Sequence, residues 1–516
     1  MDRFDAIVVG SGPNGLVAAA VLGRAGWRVL VLERSAVPGG AVHSGELTVP
    51  GYIHDTYSAF YGMLHASPVF HELELDRRVQ WAQFPVPVAA AANPDDVARC
   101  LLDDRATADE LARRSPADAD AWIELCRYWN QIGQRLLDVM LSPLPSLRPT
   151  ARLLAATGLR SLPDVARMQV EPMEALARHR FTSPAGQVLL AAGASHTDIG
   201  VDQPGSVPAA LILAMVAQRL GMPVPVGGAG RLAEALAGAV TDAGGRISTN
   251  AEVTRIVLEK GHAVGVETGD GGMASAGRAV LADTGPATLF TRLVDATVLP
   301  PSFRDGLRQF RYGTGVFKLD LALDGPVPWR APGLAGCGVV HLTGDLDNMA
   351  AAAFQARRGQ LPQEPMLIVG QQSVADPSRA PEGGHTLWVE THVPPVPRDG
   401  GSWAGAARDR FLERVLERIE AHAPGLRSRI VGMAVRTPPD LEGENPNLVG
   451  GDLGAGSGAM DQQLIFRPVP GWFRYATPIR GLYLCSASAH PGGGVHGMVG
   501  RNCAHRILAD ARLHRI

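Results

Sequence analysis

Three glycines near the amino terminus, Gly10, Gly12 and Gly15, have the spacing of a turn that binds the pyrophosphate of a dinucleotide. Gly10 allows the tight turn, Gly12 lets the phosphates approach the backbone, and Gly15 lets the next helix pack closely against the preceding strand. The helix N-terminus offers N–H groups and a positive dipole end to the phosphates. Glu33 follows at about the 20 residues expected of the carboxylate that accepts the ribose hydroxyls. Together these residues predict a dinucleotide site.

A second glycine-rich segment, residues 490–500, lies near the other end of the sequence. It reads His-Pro-Gly-Gly-Gly-Val-His-Gly-Met-Val-Gly and is predicted to open a helix that runs past Arg506. A helix start this rich in glycine presents N–H groups and a positive dipole end. Such an end would stabilise the negative charge that a reduced flavin carries on its pyrimidine side. The alternative is a glycine-rich helix cap that binds no ligand.

Strands and helices must hold these two segments in place. The apolar runs 5–9 and 29–32 predict two buried strands with a helix between them, and residues 481–485 predict a third buried strand. Residues 64–222 are predicted to be largely helical. The further predicted elements are helices over 118–140, 150–180 (with breaks at Pro163 and Pro172) and 408–423, and strands over 317–323 and 387–392.

Length and composition narrow the class of protein. A chain of 516 residues is expected to form two or three domains, and its net charge of −3 gives no electrostatic case for binding nucleic acid. The five cysteines are widely spaced and form no CxxC pair, which argues against a disulfide framework or a zinc site and fits a reducing compartment. The apolar stretch 207–217 is too short to span a bilayer. It is predicted to be a buried helix, with a membrane-dipping surface as the alternative.

Several short motifs together resemble those of a known enzyme family. They are the opening fingerprint, Gly39-Gly40, residues 227–232 and the closing segment 490–500. The chain is similar to the FAD-dependent phytoene desaturase-like oxidoreductases. Within that family it most resembles the branch of pyridine nucleotide-disulfide oxidoreductase domain-containing protein 2, which also includes ketolase-type carotenoid enzymes. The branch is indicated by residues 50–58, 450–452, 461–462, 466–471 and 490–495.

The resemblance implies a non-covalently bound FAD and assigns its contacts along the chain. The residues assigned to the pyrophosphate are Gly10, Gly12, Pro13, Asn14 and Gly15; those assigned to the adenosine are Glu33, Arg34 and Val253; and those assigned to the flavin side are Gly39, Gly40, His490, Gly493, Gly494, Val495 and Gly497. Three positions depart from the family pattern. Ser486 stands where glycine is usual, Ala489 replaces a small hydroxyl residue, and His496 replaces a smaller or apolar residue.

The predicted fold is α/β, with a Rossmann-type FAD-binding domain assembled from residues 1–62, 223–298 and 440–516. Residues 63–222 and 299–439 are predicted to form a mixed α+β substrate domain of the phytoene desaturase and amine oxidase kind. We expect a cytoplasmic enzyme because the first strand leaves no room for a signal peptide. Peripheral membrane contact and a homodimer are left open.

The predicted activity is that of an FAD-dependent dehydrogenase, desaturase or oxidase that takes a hydride from a C–H bond of an apolar or mixed-polarity organic substrate. The resemblance alone suggests an isoprenoid or carotenoid-like substrate. The alternatives are an amine or amino-acid oxidase on the same scaffold and a flavin-binding interaction protein without turnover. Residues 227–230 lack a spaced acid, so no NAD(P)H domain is predicted, and the electron acceptor is expected to be oxygen or a quinone.

The protein itself must orient the substrate, exclude water and, in some enzymes, supply a base. Candidate catalytic residues are His496, Asp55 and His54, and no metal-ligand spacing is present. The alternative for Asp55 is a structural role, in which it caps a turn or accepts bonds from the backbone. Arg467 is predicted either to anchor a carboxylate or to pair with Asp461.

Overall fold

Two sheets of seven strands each organise the part of the chain that the computed structural model describes, residues 3–158, 162–398 and 401–516. In chain order, the described strands β1 to β18 span Arg3–Val9, Val29–Leu32, Ser44–Glu46, Ile53–Asp55, Trp81–Ala82, Val86–Asn93, Asp96–Cys100, Val224–Pro225, Arg246–Ser248, Val253–Glu259, His262–Thr268, Met273–Ala282, Gly315–Leu323, Cys337–Leu342, Leu367–Gly370, His385–Val393, Ile430–Arg436 and Leu482–Leu484. The described helices α1 to α19 span Pro13–Arg24, Gly62–His65, Pro68–Glu72, Leu75–Arg78, Asp104–Ala112, Pro116–Leu141, Leu147–Thr157, Leu162–Val170, Met173–Arg180, Pro184–Ala191, Ser206–Leu220, Gly230–Asp242, Pro286–Thr288, Pro301–Gln309, Leu346–Arg357, Gln372–Ala375, Ala406–His422, Pro438–Glu444 and Met498–Arg512.

The first sheet, sheet I, has the order β10-β11-β12-β1-β2-β9, with β18 paired to β12. Its centre is parallel, because β1 runs parallel to both β12 and β2, and β18 runs parallel to β12. β2 is buried along its whole length, as expected of a continuous apolar strand at the centre of a covered parallel sheet. All seven strands come from the three segments predicted to form the FAD domain. The segment boundaries themselves stay a prediction.

The register of sheet I brings four strand ends to one edge. Val9 pairs with both Leu32 and Ala282, and Ala282 pairs with Leu484. The residues that follow these strands therefore lie side by side, although they are far apart in the sequence: Gly10, Glu33, Asp283 and Cys485. Ligands of open α/β sheets bind outside such carboxyl ends. This edge is where the two glycine-rich segments meet.

Helices α1 and α19 cross at this edge with almost no space between their backbones. Gly500 Cα faces Asn14, and a Cβ at Gly500 would come within 1.9 Å of the Asn14 carbonyl oxygen. The Gly500 N–H also points to Asn14 Oδ1 at 3.4 Å. Both helices begin within a few residues of this crossing, so the chain's two glycine-rich helix starts are adjacent.

The second sheet, sheet II, has the order β17-β13-β16-β15-β14-β6-β7 and is antiparallel except for the pairing of β14 with β6. The predicted strands over 317–323 and 387–392 are its neighbours β13 and β16, in continuous register from Gly315 with Val393 to Leu323 with His385. One face packs against the apolar helices α6, α10 and α11, and the other against α17.

The region 64–222 is mainly helical, as predicted, but it also contributes β6 and β7 to sheet II. The predicted helix over 118–140 is α6, and the helix over 150–180 is divided into α7, α8 and α9. Residues 159–161 of that prediction lie outside the described residues. The apolar stretch 207–217 forms the buried helix α11. Within the described ranges, no helix is both long enough and apolar enough to cross a membrane.

We expect Gly500→Ala to destabilise the protein, because the added methyl group would overlap the Asn14 carbonyl and force α1 and α19 apart. Overpacking of this kind costs about 1–3 kcal/mol of unfolding free energy, measurable by urea denaturation. Gly443→Ala is the control, because no atom lies within 4 Å of its added Cβ and its φ is unstrained. A Gly500→Ala variant as stable as Gly443→Ala would contradict the crossing.

Candidate active site

The first glycine turn has the geometry that its sequence predicts. Gly10 has a φ of +93°, which a side chain would strain, and a Cβ at Gly15 would lie 2.7 Å from the Gly10 carbonyl oxygen. Gly15 therefore allows α1 to pack closely on the end of β1. Pro13 occupies the first turn of α1, and Gly12 precedes it with no side chain that could cap the helix. The helix start is open to a ligand on its outer side.

Asp283, which sequence reasoning missed, lies behind this turn. Its Oδ2 accepts a hydrogen bond from the Gly15 N–H at 2.8 Å and would be 2.6 Å from a Cβ at Gly12. Burial, with a smaller contribution from the charge of Glu33, raises the pKa of Asp283 well above its usual value. Gly12 is therefore needed to accommodate Asp283 as well as any phosphate. The following residue, Thr284, has a buried hydroxyl with no hydrogen-bond partner among the described residues.

Glu33 lies at the end of β2 and faces the same turn. Its Oε2 accepts hydrogen bonds from the Ser11 N–H at 2.9 Å and the Ser11 hydroxyl at 2.7 Å, and its Oε1 accepts from the Ser35 N–H. Val253 is buried at the start of β10. It lies near Glu33, since the N–H of Ala251, two residues earlier, donates to the Glu33 carbonyl at 2.8 Å. The neighbouring Arg34 is exposed and donates to the Glu444 carbonyl.

The glycine pair Gly39-Gly40 packs directly on the first turn. The Gly39 N–H donates to the Ser11 carbonyl at 3.0 Å, and a Cβ at Gly40 would lie 3.0 Å from Gly12 Cα. From this pair the chain continues to Ala41, whose carbonyl accepts a hydrogen bond from the Ser58 hydroxyl. Trp388 of sheet II then donates to the carbonyl of Tyr57 at 3.1 Å. Residues 39–61 thus connect the glycine turn to sheet II.

The closing turn, residues 490–497, is held by both of its histidines. His490 Nε2 is 3.0 Å from the Ser142 carbonyl, and His496 Nδ1 accepts a hydrogen bond from the Met498 N–H. Burial, aided by the charge of His490, lowers the pKa of His496 to about 4, so its ring is neutral near pH 7. The turn also contains Gly493, Gly494, Val495 and Gly497. These contacts favour a structural role for His496 over the catalytic role that we predicted.

Arg467 holds the loop that packs against the closing turn. It forms no ion pair with a carboxylate of the described residues. Its buried guanidinium donates hydrogen bonds to the carbonyls of residues 454–457 and to that of Ala487. Burial lowers the pKa of Arg467 to about 10. The loop that it holds packs on the turn, since a Cβ at Gly493 would lie 3.1 Å from the Gly454 carbonyl. Asp461 pairs with Arg311 instead, at 2.8 Å, so the predicted pairing with Arg467 is not formed.

Asp55 belongs to a buried charge network. Its Oδ2 is 3.0 Å from Nη1 of the fully buried Arg379, which also pairs with Asp376. Asp55 Oδ1 accepts from the Ala229 N–H, and Asp376 Oδ2 accepts from the Gly227 N–H, both at 2.7 Å. The N–H groups of Gly227 and Ala229, in the glycine loop before α12, are thereby already hydrogen bonded. They are not free to bind a second dinucleotide. This arrangement favours the structural alternative for Asp55.

His54 is buried next to Asp55 on β4. Its Nε2 is 2.9 Å from the Thr48 hydroxyl, and its Nδ1 is 3.8 Å from Asp320. Burial, together with the nearby cations Lys318, Arg379 and Arg436, lowers the pKa of His54 to about 3. A histidine with so low a pKa stays neutral and is a weak base. Its predicted catalytic role gains no support from these contacts.

A row of ionisable side chains crosses one face of sheet II. The strand register places Arg436 beside Lys318, Lys318 beside Glu390, Glu390 beside Ile368, and Ile368 beside His341. These residues share a face because side chains at paired positions project to the same side of a sheet. Sequence reasoning identified both strands but not this row. Part of the signal was available, since Lys318 and Asp320 alternate with Phe317, Leu319 and Leu321 in β13.

The charged side chains of this row differ in whether they have a hydrogen-bond partner. The Lys318 ammonium group donates to Asp320 Oδ1 at 2.5 Å and lies 5.0 Å from the centre of the Trp388 ring. Glu390 Oε1, in contrast, has no hydrogen-bond partner among the described residues. Burial raises the pKa of Glu390 to about 8, although the charge of Lys318 opposes the shift. Glu390 is the buried carboxyl that the surrounding structure leaves available.

Histidines continue the polar surface beyond the row. His341 Nε2 lies 2.9 Å from Nε2 of His196, and both rings border a small cavity lined otherwise by apolar side chains such as Trp122 and Leu189. Burial lowers the pKa of His196 to about 3 and that of His341 to about 4. Asp198, close to His196 in the chain, accepts from the Ser457 hydroxyl at 2.5 Å. This contact joins the histidines to the loop under the closing turn.

Comparisons with known proteins agree with this geometry. The family model for flavin-containing amine oxidoreductases matches residues 14–508. The chain belongs to this family. It is 30% identical to mouse pyridine nucleotide-disulfide oxidoreductase domain-containing protein 2, over 99% of the chain and 94% of that protein. It is 26% identical to one of the subunits of limonene dehydrogenase from Castellaniella defragrans, over 99% of the chain and 96% of that protein, and 26% identical to a neurosporene-forming phytoene desaturase of Cereibacter sphaeroides, over 97% and 93%.

Solved structures show the same fold at low sequence identity. A putrescine oxidase bound to putrescine matches with a TM-score of 0.62 and 16% identity, over 99% of both chains. An oxidoreductase from Methanosarcina mazei matches with a TM-score of 0.61 and 17% identity, over 98% of this chain and 100% of that one. The predicted resemblance and the predicted α/β FAD-binding fold are confirmed.

The residues of this flavin-containing amine oxidoreductase fit FAD. The N-cap residue of α1, Gly12, has no side chain, the Glu33 carboxylate lies at the same sheet edge, and the buried Thr284 hydroxyl there has no partner among the described residues. The glycine pair packs on the first turn with no side chain between them, since a Cβ at Gly40 would lie 3.0 Å from Gly12 Cα. The chain is an FAD-dependent oxidoreductase, as the sequence predicted.

Arg379→Met is expected to destabilise the protein by about 3–5 kcal/mol, because it would leave Asp55 and Asp376 buried without a cation. Urea denaturation measures the change. Arg231→Met is the control, since Arg231 is exposed and pairs only with the exposed Glu234 among the described residues. If the two variants lost equal stability, Asp55 would be free for another role, and the structural assignment would be wrong.

Proposed function

We propose that this oxidoreductase removes hydrogen from a C–H bond of an apolar or mixed-polarity organic substrate, bound between the closing turn and the polar face of sheet II. The observation that carries the proposal is the row Lys318–Glu390–His341, which is buried on a face otherwise packed by apolar helices. Perturbed ionisable groups on a largely apolar wall are typical of an active site. The relatives' names support the substrate class, because limonene and phytoene are both isoprenoid hydrocarbons.

We assign the FAD contacts as predicted from the sequence. The turn Gly10–Gly15 and the start of α1 would hold the pyrophosphate, Glu33 the adenosine ribose, and residues 490–497 the flavin side. When bound, FAD supplies a two-electron acceptor for hydride. The chain's own residues position the substrate and exclude water. Helices α6, α10 and α11 form an apolar wall around the substrate, and the row Lys318–Glu390–His341 fixes the orientation of the substrate.

Oxidation of an amine is the second candidate, favoured by the unpartnered Glu390 carboxyl, which could neutralise an ammonium group. The surrounding charge is less favourable to it. Lys318 already occupies the face of Trp388, and Arg436 lies on the other side of Lys318 in the row. A substrate cation would meet both positive charges in a buried site, where like charges repel strongly. The neutral substrate is therefore our first choice.

We infer that the electrons leave to oxygen or a quinone. The inference is supported by the loop before α12, whose N–H groups donate to Asp376, Asp55 and Ser44 and are not free for a nicotinamide dinucleotide. The five cysteines are free and buried, which fits a cytoplasmic protein. The proposal includes peripheral membrane contact and a homodimer.

The substrate class is tested by anaerobic mixing of the FAD-loaded protein with four compounds: limonene, geraniol, putrescine and cyclohexylamine. We expect limonene or geraniol to bleach the visible flavin absorbance and the two amines to leave it unchanged. Bleaching by an amine, with hydrogen peroxide released on admission of air, would support the second candidate instead. Absence of bleaching by all four would count against the proposed function.

Glu33→Gln is expected to weaken FAD binding about tenfold, because a neutral amide is a poorer acceptor for ribose hydroxyls than a carboxylate. Titration of the flavin-free protein with FAD, followed by calorimetry, measures the affinity. Glu252→Gln, on an exposed residue next to Val253, should bind FAD like the unmodified protein. Equal affinity in both variants would remove Glu33 from the assigned contacts.

A further inference from the structure

Glu390 is a buried carboxyl whose surroundings do not use it. It lies in the middle of β16, 9% exposed, with Lys318 on the neighbouring strand at one side and Ile368 at the other. Its natural ion-pair partner is already engaged, since Lys318 is hydrogen bonded to Asp320. Buried carboxyls without a partner are costly and therefore uncommon, and they are concentrated at functional sites.

The groups that face Glu390 come from every element around it. The cations are Lys318 and Arg436; the anions are Asp320 and, beyond it, Asp55; and the histidines are His54, His196, His341 and His392. The pKa values of His54, His196 and His341 are lowered to between about 3 and about 4, so these rings cannot take up a proton near neutral pH. Lys318 pairs with Asp320, Arg436 with Glu444, and Asp55 with Arg379. His392 Nδ1 is 2.9 Å from the Thr314 hydroxyl, and burial lowers the pKa of His392. This leaves Glu390, whose Oε1 has no hydrogen-bond partner among the described residues, as the group able to exchange a proton.

We propose that Glu390 is the catalytic base that accepts a proton from the substrate as it is oxidised. The inference rests on the proposed function, because it places the substrate on this face of sheet II. Oxidation breaks one C–H bond, whose hydride goes to the two-electron acceptor that FAD supplies when bound. A bond from hydrogen to the adjacent carbon or heteroatom breaks with loss of a proton. The electron pair of that second bond forms the new double bond. The proton forms an O–H bond on the Glu390 carboxylate, and the Lys318–Asp320 pair keeps the ammonium group from neutralising that carboxylate.

The protonation of Glu390 is testable without any turnover. The apolar reagent dicyclohexylcarbodiimide, which attacks protonated carboxyl groups, should label Glu390 in the FAD-loaded protein at pH 6 but much less at pH 10, because the pKa of Glu390 is raised to about 8. Peptide mass spectrometry locates the label. The exposed Glu382 on the same domain should remain unlabelled at both pH values. An unlabelled Glu390 at pH 6 would overturn the proposal, and so would labelling that does not change with pH.

Stability gives a second readout. Because the pKa of Glu390 lies above its unfolded value of 4.5, the unfolded chain loses its proton first as the pH rises. The contribution of Glu390 to the free energy of unfolding is therefore greatest below pH 4.5. It falls as the pH rises to about 8, where the folded group has also ionised. Glu390→Gln should melt at the same temperature as the unmodified protein at pH 4.5 and a few degrees higher at pH 8. Glu382→Gln is the control and should match the unmodified protein at both.

The catalytic role is tested with whichever of limonene and geraniol reduces the flavin. The rate of flavin reduction should rise with pH through about 8 in the unmodified protein. In Glu390→Gln it should be roughly 100-fold slower or more and independent of pH, while Glu382→Gln is unchanged. Reduction of Glu390→Gln at the normal rate would overturn this role and leave the proposed function intact. Failure of both compounds to reduce the unmodified protein would overturn the two together.

Discussion

The close crossing of α1 and α19 is the contact on which the site depends. Asn14 and Gly500 are separated by nearly the whole chain, yet their backbones touch because Gly500 has no side chain. The crossing places two helix starts next to each other at the carboxyl edge of sheet I. Neither start could form this site alone, since one offers the dinucleotide turn and the other the glycine-rich segment expected at the flavin. The missing Cβ of Gly500 therefore allows the close approach of two segments that the register of sheet I brings to one edge.

The sequence predicted the parts of this arrangement that depend on local geometry. The Gly10–Gly15 turn, the strands around it, Glu33 and the buried helix α11 all follow from patterns within a short stretch of chain. The roles of Asp283 and Gly500 could not be found in this way, because each contacts a residue hundreds of positions away. The strands β6 and β7 were missed for a related reason. They lie within a largely helical region, where β7 pairs with β6, and β6 joins sheet II through the distant β14.

The choice of catalytic candidates shows a second limit of prediction from the sequence. Asp55, His54 and His496 were singled out by residue type and by nearness to a motif, but the structure surrounds each with partners that hold it in place. Lys318 and Glu390 lay in segments recognised only as strands. Their importance depends on which face of sheet II is covered and on which charges are already paired. Pairing across strands is set by register, and register cannot be obtained from one strand alone.

The pairing of buried charges also explains why similar glycine loops differ in function. The loop before α12 is closed from within by Asp55, Asp376 and Ser44, which accept its N–H groups. The turn before α1 has Asp283 only on the side facing the sheet, and its outer side carries no cap. Burial holds the pKa of Asp283 high, which favours its neutral form beside a pyrophosphate. This difference between the two helix starts is the reason why we propose the pyrophosphate site at α1 and not at α12.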